Sequence, residues 1–298
     1  MLYKTLGSSY LNISEIALGC MSLQPGNTTS AKILEHALDA GINYFDTADL
    51  YNDGENESML GQVFAKKRDK VILATKVGNQ RRADGEGWIW NPRKSYILDS
   101  VEKSLRRLQT DYIDLYQLHG GTIEDPIDEV IEAFEKLRSD GKIRYYGISS
   151  IRPNVIREYV KRSSIVSVMT QYSVADRRPM EEVMPLLSEN KIGNLARGSV
   201  VQGILSGKPV RPYLSYSVEE MDAAKNILLR MTSSDRSATQ ILLKYVMQNE
   251  MVTSPVVGVS SREQLDELIE VTNIPHLTKE EIKQLNTMLP TLYYSEHR

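Results

Sequence analysis

Apolar residues recur along this chain with two alternating periods. Short runs such as IALG at 16–19, YFD at 44–46, VILATK at 71–76 and IDLYQL at 113–118 have the length and side chains of buried strands. Between them lie stretches with helical spacing. Apolar residues fall at 33, 34, 37 and 38 of the segment 30–40, and at Leu98, Val101, Leu105 and Leu108 of the segment 97–108. Helices are expected at 57–65 and 127–139 in the same way. The second half continues with a strand at 145–148, a helix at 153–161 whose early proline is tolerated there, and a strand at 166–170. A helix follows at 179–190, where Pro185 predicts a kink or a late start, and then a weaker strand at 192–196. After a Gly-, Ser- and Pro-rich loop at 198–217 come helices at 218–231 and 237–248, a strand at 254–259 and a helix at 262–270. The segment 278–289 opens on the capping-box pair Thr278 and Glu281 and makes a last helix. Two short strand-like pieces around residues 7–10 predict a hairpin ahead of all this.

Regular strand–helix alternation implies parallel strands joined by right-handed crossovers. Eight such units, with no shift in composition between them, predict a closed (β/α)8 barrel, the TIM barrel. The expected architecture is one α/β domain over 1–298, with the N-terminal hairpin and extra C-terminal helices. An open doubly wound sheet is the alternative, and it would carry a glycine fingerprint after its first strand. The segment there, LGCMSLQPGN, is not G-x-G-x-x-G.

Composition narrows the class without naming it. The chain has 298 residues, 41% hydrophobic and 25% charged, with a net charge of −3. That balance gives no reason to expect a nucleic acid or an anionic membrane as partner. No apolar run approaches the roughly 20 residues that cross a bilayer, and MLYKTLGSSY does not read as a secretory signal. A single cysteine, Cys20, excludes an internal disulfide, and His36, His119, His276 and His297 show no metal-ligand spacing. A cytoplasmic setting is expected, Cys20 reads as a small packed residue, and the oligomeric state is not legible.

In a (β/α)8 barrel the reacting groups sit at the C-terminal strand ends and the loops that follow. Asp46 ends the second strand, Tyr51 sits on the loop after it, Lys76 ends the third strand and His119 the fourth. Each has an ordinary reading: a turn carboxylate, a phenol over the barrel mouth, an exposed lysine, a half-buried histidine. Together at one rim they suggest a proton-donating site. A phenol titrates near pH 10, so it needs help to act as an acid at neutral pH. A nearby ammonium favours the phenolate, and a carboxylate behind the lysine keeps that ammonium charged and in place. A histidine opposite orients a carbonyl oxygen. No nucleophile completes the set, so the missing reagent is a bound cofactor, and hydride transfer fits a carbonyl-reducing acid.

DTADLY, with the later TK and QLH, resembles the aldo-keto reductase superfamily over essentially the whole chain. Further matches are GISS at 147–150, QYS at 171–173, ARGSVVQGIL at 196–205 and GVSSREQLDE at 258–267. The resemblance implies Tyr51 as acid/base, Lys76 and Asp46 as its tuning pair, and His119 as the carbonyl-orienting residue. It implies NADPH, with NADH as an alternative, bound along the barrel rim without a Rossmann fold. Ser149 and Gln171 match positions that hold the nicotinamide carboxamide, and Arg197 falls where many relatives place an aromatic under the ring. Gly198, Gln202 and Gly203 match the pyrophosphate loop. Gly258, Ser260, Ser261, Arg262 and Gln264 match the adenosine-phosphate site, with Arg262 the candidate for the 2′-phosphate. Gly19, Met21 and Asp46 complete the implied cofactor contacts. The chain departs from the pattern at Ser150, Ser199 and Leu268, where relatives usually carry Asn, Pro and Asn.

The expected function is NADPH-dependent reduction of aldehydes or ketones to alcohols, with a small-molecule carbonyl as partner. Two alternatives stay open. One is a nucleotide-binding regulatory subunit with little turnover, the other a sugar or polyol dehydrogenase working in reverse. The substrate walls are expected from 78–91, 120–126, 198–217 and the tail. Trp88 and Trp90 line a pocket there or pack the loop. Tyr293 and Tyr294 reach over the rim or lie on the outer face.

Overall fold

The computed structural model describes residues 1–298. A hairpin of β1 (Tyr3–Thr5) and β2 (Asn12–Ser14) comes first, followed by β3 (Ala17–Gly19) and α1 (Thr28–Asp39). Next are β4 (Tyr44–Asp46), α2 (Glu55–Phe64), β5 (Ile72–Val77), the short pair β6 (Asn79–Arg81) and β7 (Trp88–Trp90), and α3 (Lys94–Leu108). The chain continues through β8 (Ile113–Leu118), α4 (Ile127–Ser139), β9 (Ile143–Ser149), α5 (Pro153–Arg162), β10 (Ser167–Gln171), α6 (Val183–Glu189) and β11 (Gly193–Arg197). It ends with α7 (Val218–Arg230), α8 (Ala238–Met247), β12 (Ser254–Gly258), α9 (Arg262–Glu270) and α10 (Lys279–Thr287).

The eight strands β3, β4, β5, β8, β9, β10, β11 and β12 pair in parallel in that order, and β12 closes on β3. This is the (β/α)8 barrel. Buried apolar side chains outside it form the layer between strands and helices, where Phe45 and Phe64 meet with ring centroids 4.5 Å apart. Inside it, Tyr44, Ala74, Leu115, Met169 and Leu195 fill the lumen together with Leu6, Leu11 and Ile13 of the hairpin. The hairpin therefore plugs the N-terminal end of the barrel, and access is left at the C-terminal end. Gly7 makes that fit: its φ is +56°, and a Cβ there would lie 2.2 Å from the Val166 carbonyl oxygen.

Three local differences from the sequence reading have physical causes. The segment 78–91 is not a plain loop: β6 and β7 pair antiparallel, with Asn79 opposite Trp90. The helix expected at 97–108 starts at Lys94, because the Lys94 amide donates to Glu129 Oε1 at 2.9 Å from the neighbouring α4. The helix expected at 179–190 starts late: a 3-10 turn covers Arg178–Met180, and Pro185 sits in the first turn of α6, where its missing N–H costs nothing.

Candidate active site

Parallel registration puts the ends of β4, β5 and β8 side by side, so Asp46, Lys76 and His119 arrive at one place. Lys76 is 1% exposed and its ammonium is ion-paired with Asp46 Oδ1. The same ammonium donates to the Thr47 carbonyl at 2.7 Å, and Gln117 Nε2 donates to Asp46 Oδ2 at 3.2 Å. Both partners of this buried pair are thus satisfied by more than each other, which such a pair requires. Burial works against the Lys76 charge, but Asp46 and the Tyr51 oxygen outweigh it and raise the Lys76 pKa.

Tyr51 leaves β4 on a short 3-10 turn and places its ring over this pair, with Lys76 Nζ 5.3 Å from the ring centroid. The His119 ring meets it edge-on, with centroids 6.0 Å apart and planes at 83°. The Tyr51 pKa is raised, chiefly by burial, while Lys76 and Arg197 pull it down and Asp46 adds to the rise. Lys76 acts in the expected sense and is outweighed, because the phenol is largely out of water. His119 is pushed down to about 3, by burial first and then by the charges of Lys76 and Arg197, so it is a neutral imidazole. Its Nδ1 is buried without a protein partner.

These residues stand on the floor of a cleft of about 1240 Å³ that runs along the rim. Gly19, Met21, Ser149, Gln171, Arg197, Gly198, Gln202, Gly203, Gly258, Ser260 and Gln264 all line it. Ser261 and Arg262 do not. The Ser261 side chain caps α9 by accepting from the Gln264 amide, and Arg262 Nε donates to Asp266 at 2.9 and 3.0 Å. That carboxylate faces the barrel exterior, where it also meets His36. Gln171 has both ends of its amide engaged inside the protein: Nε2 donates to Asp176 at 2.9 Å, and Oε1 accepts from Arg197 at 2.8 Å. Cys20 is buried, its thiol lies against the Leu18 carbonyl, and burial pushes it far above the usual thiol range.

Arg197 was expected at the rim from the sequence, and two further cations there were not. Lys208 and Arg211 line the cleft from the loop after β11 and have no carboxylate partner; Arg211 bonds only the neutral Gln202 amide. Two bases in a loop of glycines and prolines were the available signal, and a substrate wall was the expectation there. Lys208 lies over Gly203, whose φ of +81° and missing Cβ leave room for its stem. Gln117, which braces Asp46, was also missed, because an inward-facing strand position gives no sign of its partner. The tryptophans pack loops: Trp90 donates to Asp125 at 3.0 Å and covers Gly78, and Arg81 lies over Trp88. Tyr294 is buried under Arg178, whereas Tyr293 is exposed.

The site therefore divides by strand. The groups suited to proton transfer come from β4, β5 and β8, whereas the glycine-rich, cationic wall comes from the end of β11 and the loop after it, continued by Gly258 and Ser260 at the end of β12. The model of the aldo/keto reductase family matches residues 15–289. The chain belongs to that family, and it is an oxidoreductase that works with a nicotinamide cofactor.

Among curated relatives, the uncharacterized oxidoreductase YqkF of Bacillus subtilis (strain 168) is 51% identical, with 99% of each chain covered. The aldo-keto reductase YhdN of the same organism is 30% identical over 97% of this chain and 94% of that one. Among solved structures, the holo form of aldo-keto reductase AKR11C1 from Bacillus halodurans superposes with a TM-score of 0.93 at 48% identity, over 100% of this chain and 99% of that one. Its apo form gives 0.85 at 45% identity, with the same coverage. The glycerol dehydrogenase AKR11B4 from Gluconobacter oxydans gives 0.85 at 25% identity, over 96% of this chain and 94% of that one.

Proposed function

We propose that the protein is an NADPH-dependent reductase of aldehydes and ketones in which Tyr51 is the general acid. The observation that carries this reading is the buried Lys76–Asp46 pair beneath Tyr51, with a neutral His119 across from it. A carbonyl oxygen between Tyr51 and His119 meets a phenol O–H on one side and an imidazole on the other. Proton donation from Tyr51 to the developing alkoxide leaves a phenolate, which Lys76 stabilises at close range in a water-poor site. Asp46 acts on Lys76, holding its charge and its position, and does not touch the substrate.

The cofactor, when bound, supplies the hydride. The cleft fits it: Gly198, Gly203 and Gly207 at positive φ let backbone come close, and Lys208 and Arg211 offer unpaired charge to phosphates. Arg262 pairs with Asp266 on the exposed face of α9 and stays a candidate for phosphate, and Lys208 and Arg211 are further cationic candidates. The similarity to a holo form of AKR11C1 supports a bound cofactor.

The test is Tyr51→Phe, read as carbonyl-dependent oxidation of NADPH. Loss of a required proton donor lowers the rate on the order of 10²-fold or more. Unchanged turnover would rule the mechanism out. A second reading, oxidation of a polyol, is favoured by the similarity to a glycerol dehydrogenase. The same residues then run in reverse with Tyr51 as base, and rates measured in both directions at neutral pH separate the two.

A further inference from the structure

Gln171 stands between two charges and neutralises neither. Register places it beside Arg197, as the last residues of β10 and β11. Its Oε1 accepts from Arg197 Nη1 at 2.8 Å, and its Nε2 donates to Asp176 Oδ2 at 2.9 Å. Asp176 is itself 1% exposed and is held in a two-pronged pair by Arg178, with Nε and Nη2 at 2.8 and 2.7 Å. The carboxylate's charge is therefore spent on Arg178. What reaches Arg197 through the amide is orientation alone. A direct Arg197–carboxylate pair would have fixed the guanidinium equally well and cancelled its charge.

The result is a fixed, half-buried cation on the cleft wall. It acts on the reacting groups, because the Arg197 charge lowers the pKa of both Tyr51 and His119. Any nicotinamide ring that reaches a carbonyl held by Tyr51 and His119 lies within the same field. The two redox forms of that ring differ by one positive charge: the oxidised ring carries it and the reduced ring does not.

We propose that Arg197 is a charge-selective element of the cleft: mounted on Gln171 and left unneutralised, it favours the reduced nicotinamide over the cationic oxidised form. The proposal rests on the cofactor reading above. It assigns the advantage to loading of reduced cofactor and expulsion of oxidised cofactor. The hydride-transfer step itself is opposed by the same charge. Asp176 and Gln171 are positioning residues in this scheme.

The experiment is a fluorescence titration of the protein with NADPH and with NADP⁺, repeated with NADH and NAD⁺, for wild type, Arg197→Gln and Arg197→Lys. Within each pair the adenosine half is constant, so the ratio of oxidised to reduced Kd reports ring charge. Removing the cation in Arg197→Gln lowers that ratio about tenfold, the screened end of what two like charges a few ångströms apart exert on each other. Arg197→Lys, which keeps the charge, holds it within about twofold. A ratio unchanged in Arg197→Gln overturns the proposal. So do equal affinities for the two forms in the wild type, a result that needs no variant. Failure of wild type to bind any of the four nucleotides removes the cofactor reading as well.

Discussion

Asp49 sits two residues before Tyr51 and carries a proton that its neighbours cannot easily remove. Burial, and then the nearby Glu57 carboxylate, push it up to about 8, against the opposing pull of Arg107. Glu57 has taken that cation already: it accepts from Arg107 Nη2 at 2.6 Å and from Thr75 Oγ1 at 2.6 Å. An acid whose pKa is raised on folding binds more protons in the folded state between the two values. Its contribution is present at low pH and is lost as pH rises through about 8. Asp49→Asn therefore gains stability over wild type progressively from about pH 4 to pH 8 and levels off above. Melting temperatures across that range check this, and a pH-independent difference would count against it.

His119 gives the opposite kind of prediction. With its pKa pushed down to about 3, it stays neutral at every ordinary assay pH. The profile of kcat/KM between about pH 5 and pH 8 accordingly shows no limb from an imidazole. A limb near 6.5 that vanishes in His119→Gln would show that the histidine titrates there. Neither pKa could be read from the sequence. Strand position placed Asp46, Lys76 and His119 correctly at the rim, whereas the degree of burial that decides each proton depends on packing from distant segments.

Elements were the most legible scale, and their errors share one cause. Strands and helices with a strong internal period fell where the pattern put them, including all eight barrel strands. The mistakes came where a contact that the hydrophobic period does not show decides the element. Glu129 from α4 adds a turn to the front of α3, and β6 and β7 stabilise each other in a stretch whose composition reads as loop. The hairpin plug is the case with a measurable consequence. Gly7→Ala forces an L residue into φ near +56° and sets a methyl 2.2 Å from a backbone oxygen. Left-handed strain alone costs roughly 1–3 kcal/mol, and the overlap adds to it. The urea midpoint falls accordingly with the slope unchanged, whereas a midpoint equal to wild type would mean the hairpin does not seat against β10 and β11.

At the scale of the whole molecule, a chain of net charge −3 gathers unpaired cations along one wall of one cleft. Ligand binding there stabilises the fold by mass action. On the proposed function, NADPH at about 100 times its Kd adds about 2.7 kcal/mol, and for a chain of this size that raises Tm by roughly 5 °C. Lys208→Ala together with Arg211→Ala reduces the shift and flattens its dependence on salt, since exposed charges are what salt screens. An unaltered shift in the double variant would place the phosphates elsewhere. No helix is long and apolar enough to cross a membrane.

The separation of proton-transfer groups on β4, β5 and β8 from the cationic wall of β11 and its following loop has a consequence for descent. The two halves of the barrel can drift at different rates and be exchanged. A chimera that keeps residues 1–150 of this chain and takes the remainder from a relative should inherit the chemistry of the first parent and the nucleotide preference of the second. The barriers are the closure of β12 on β3 and the seam at β9 and β10, where Ser149 and Met169 must still register. Recombination at that seam would let a lineage change its redox currency without rebuilding its acid.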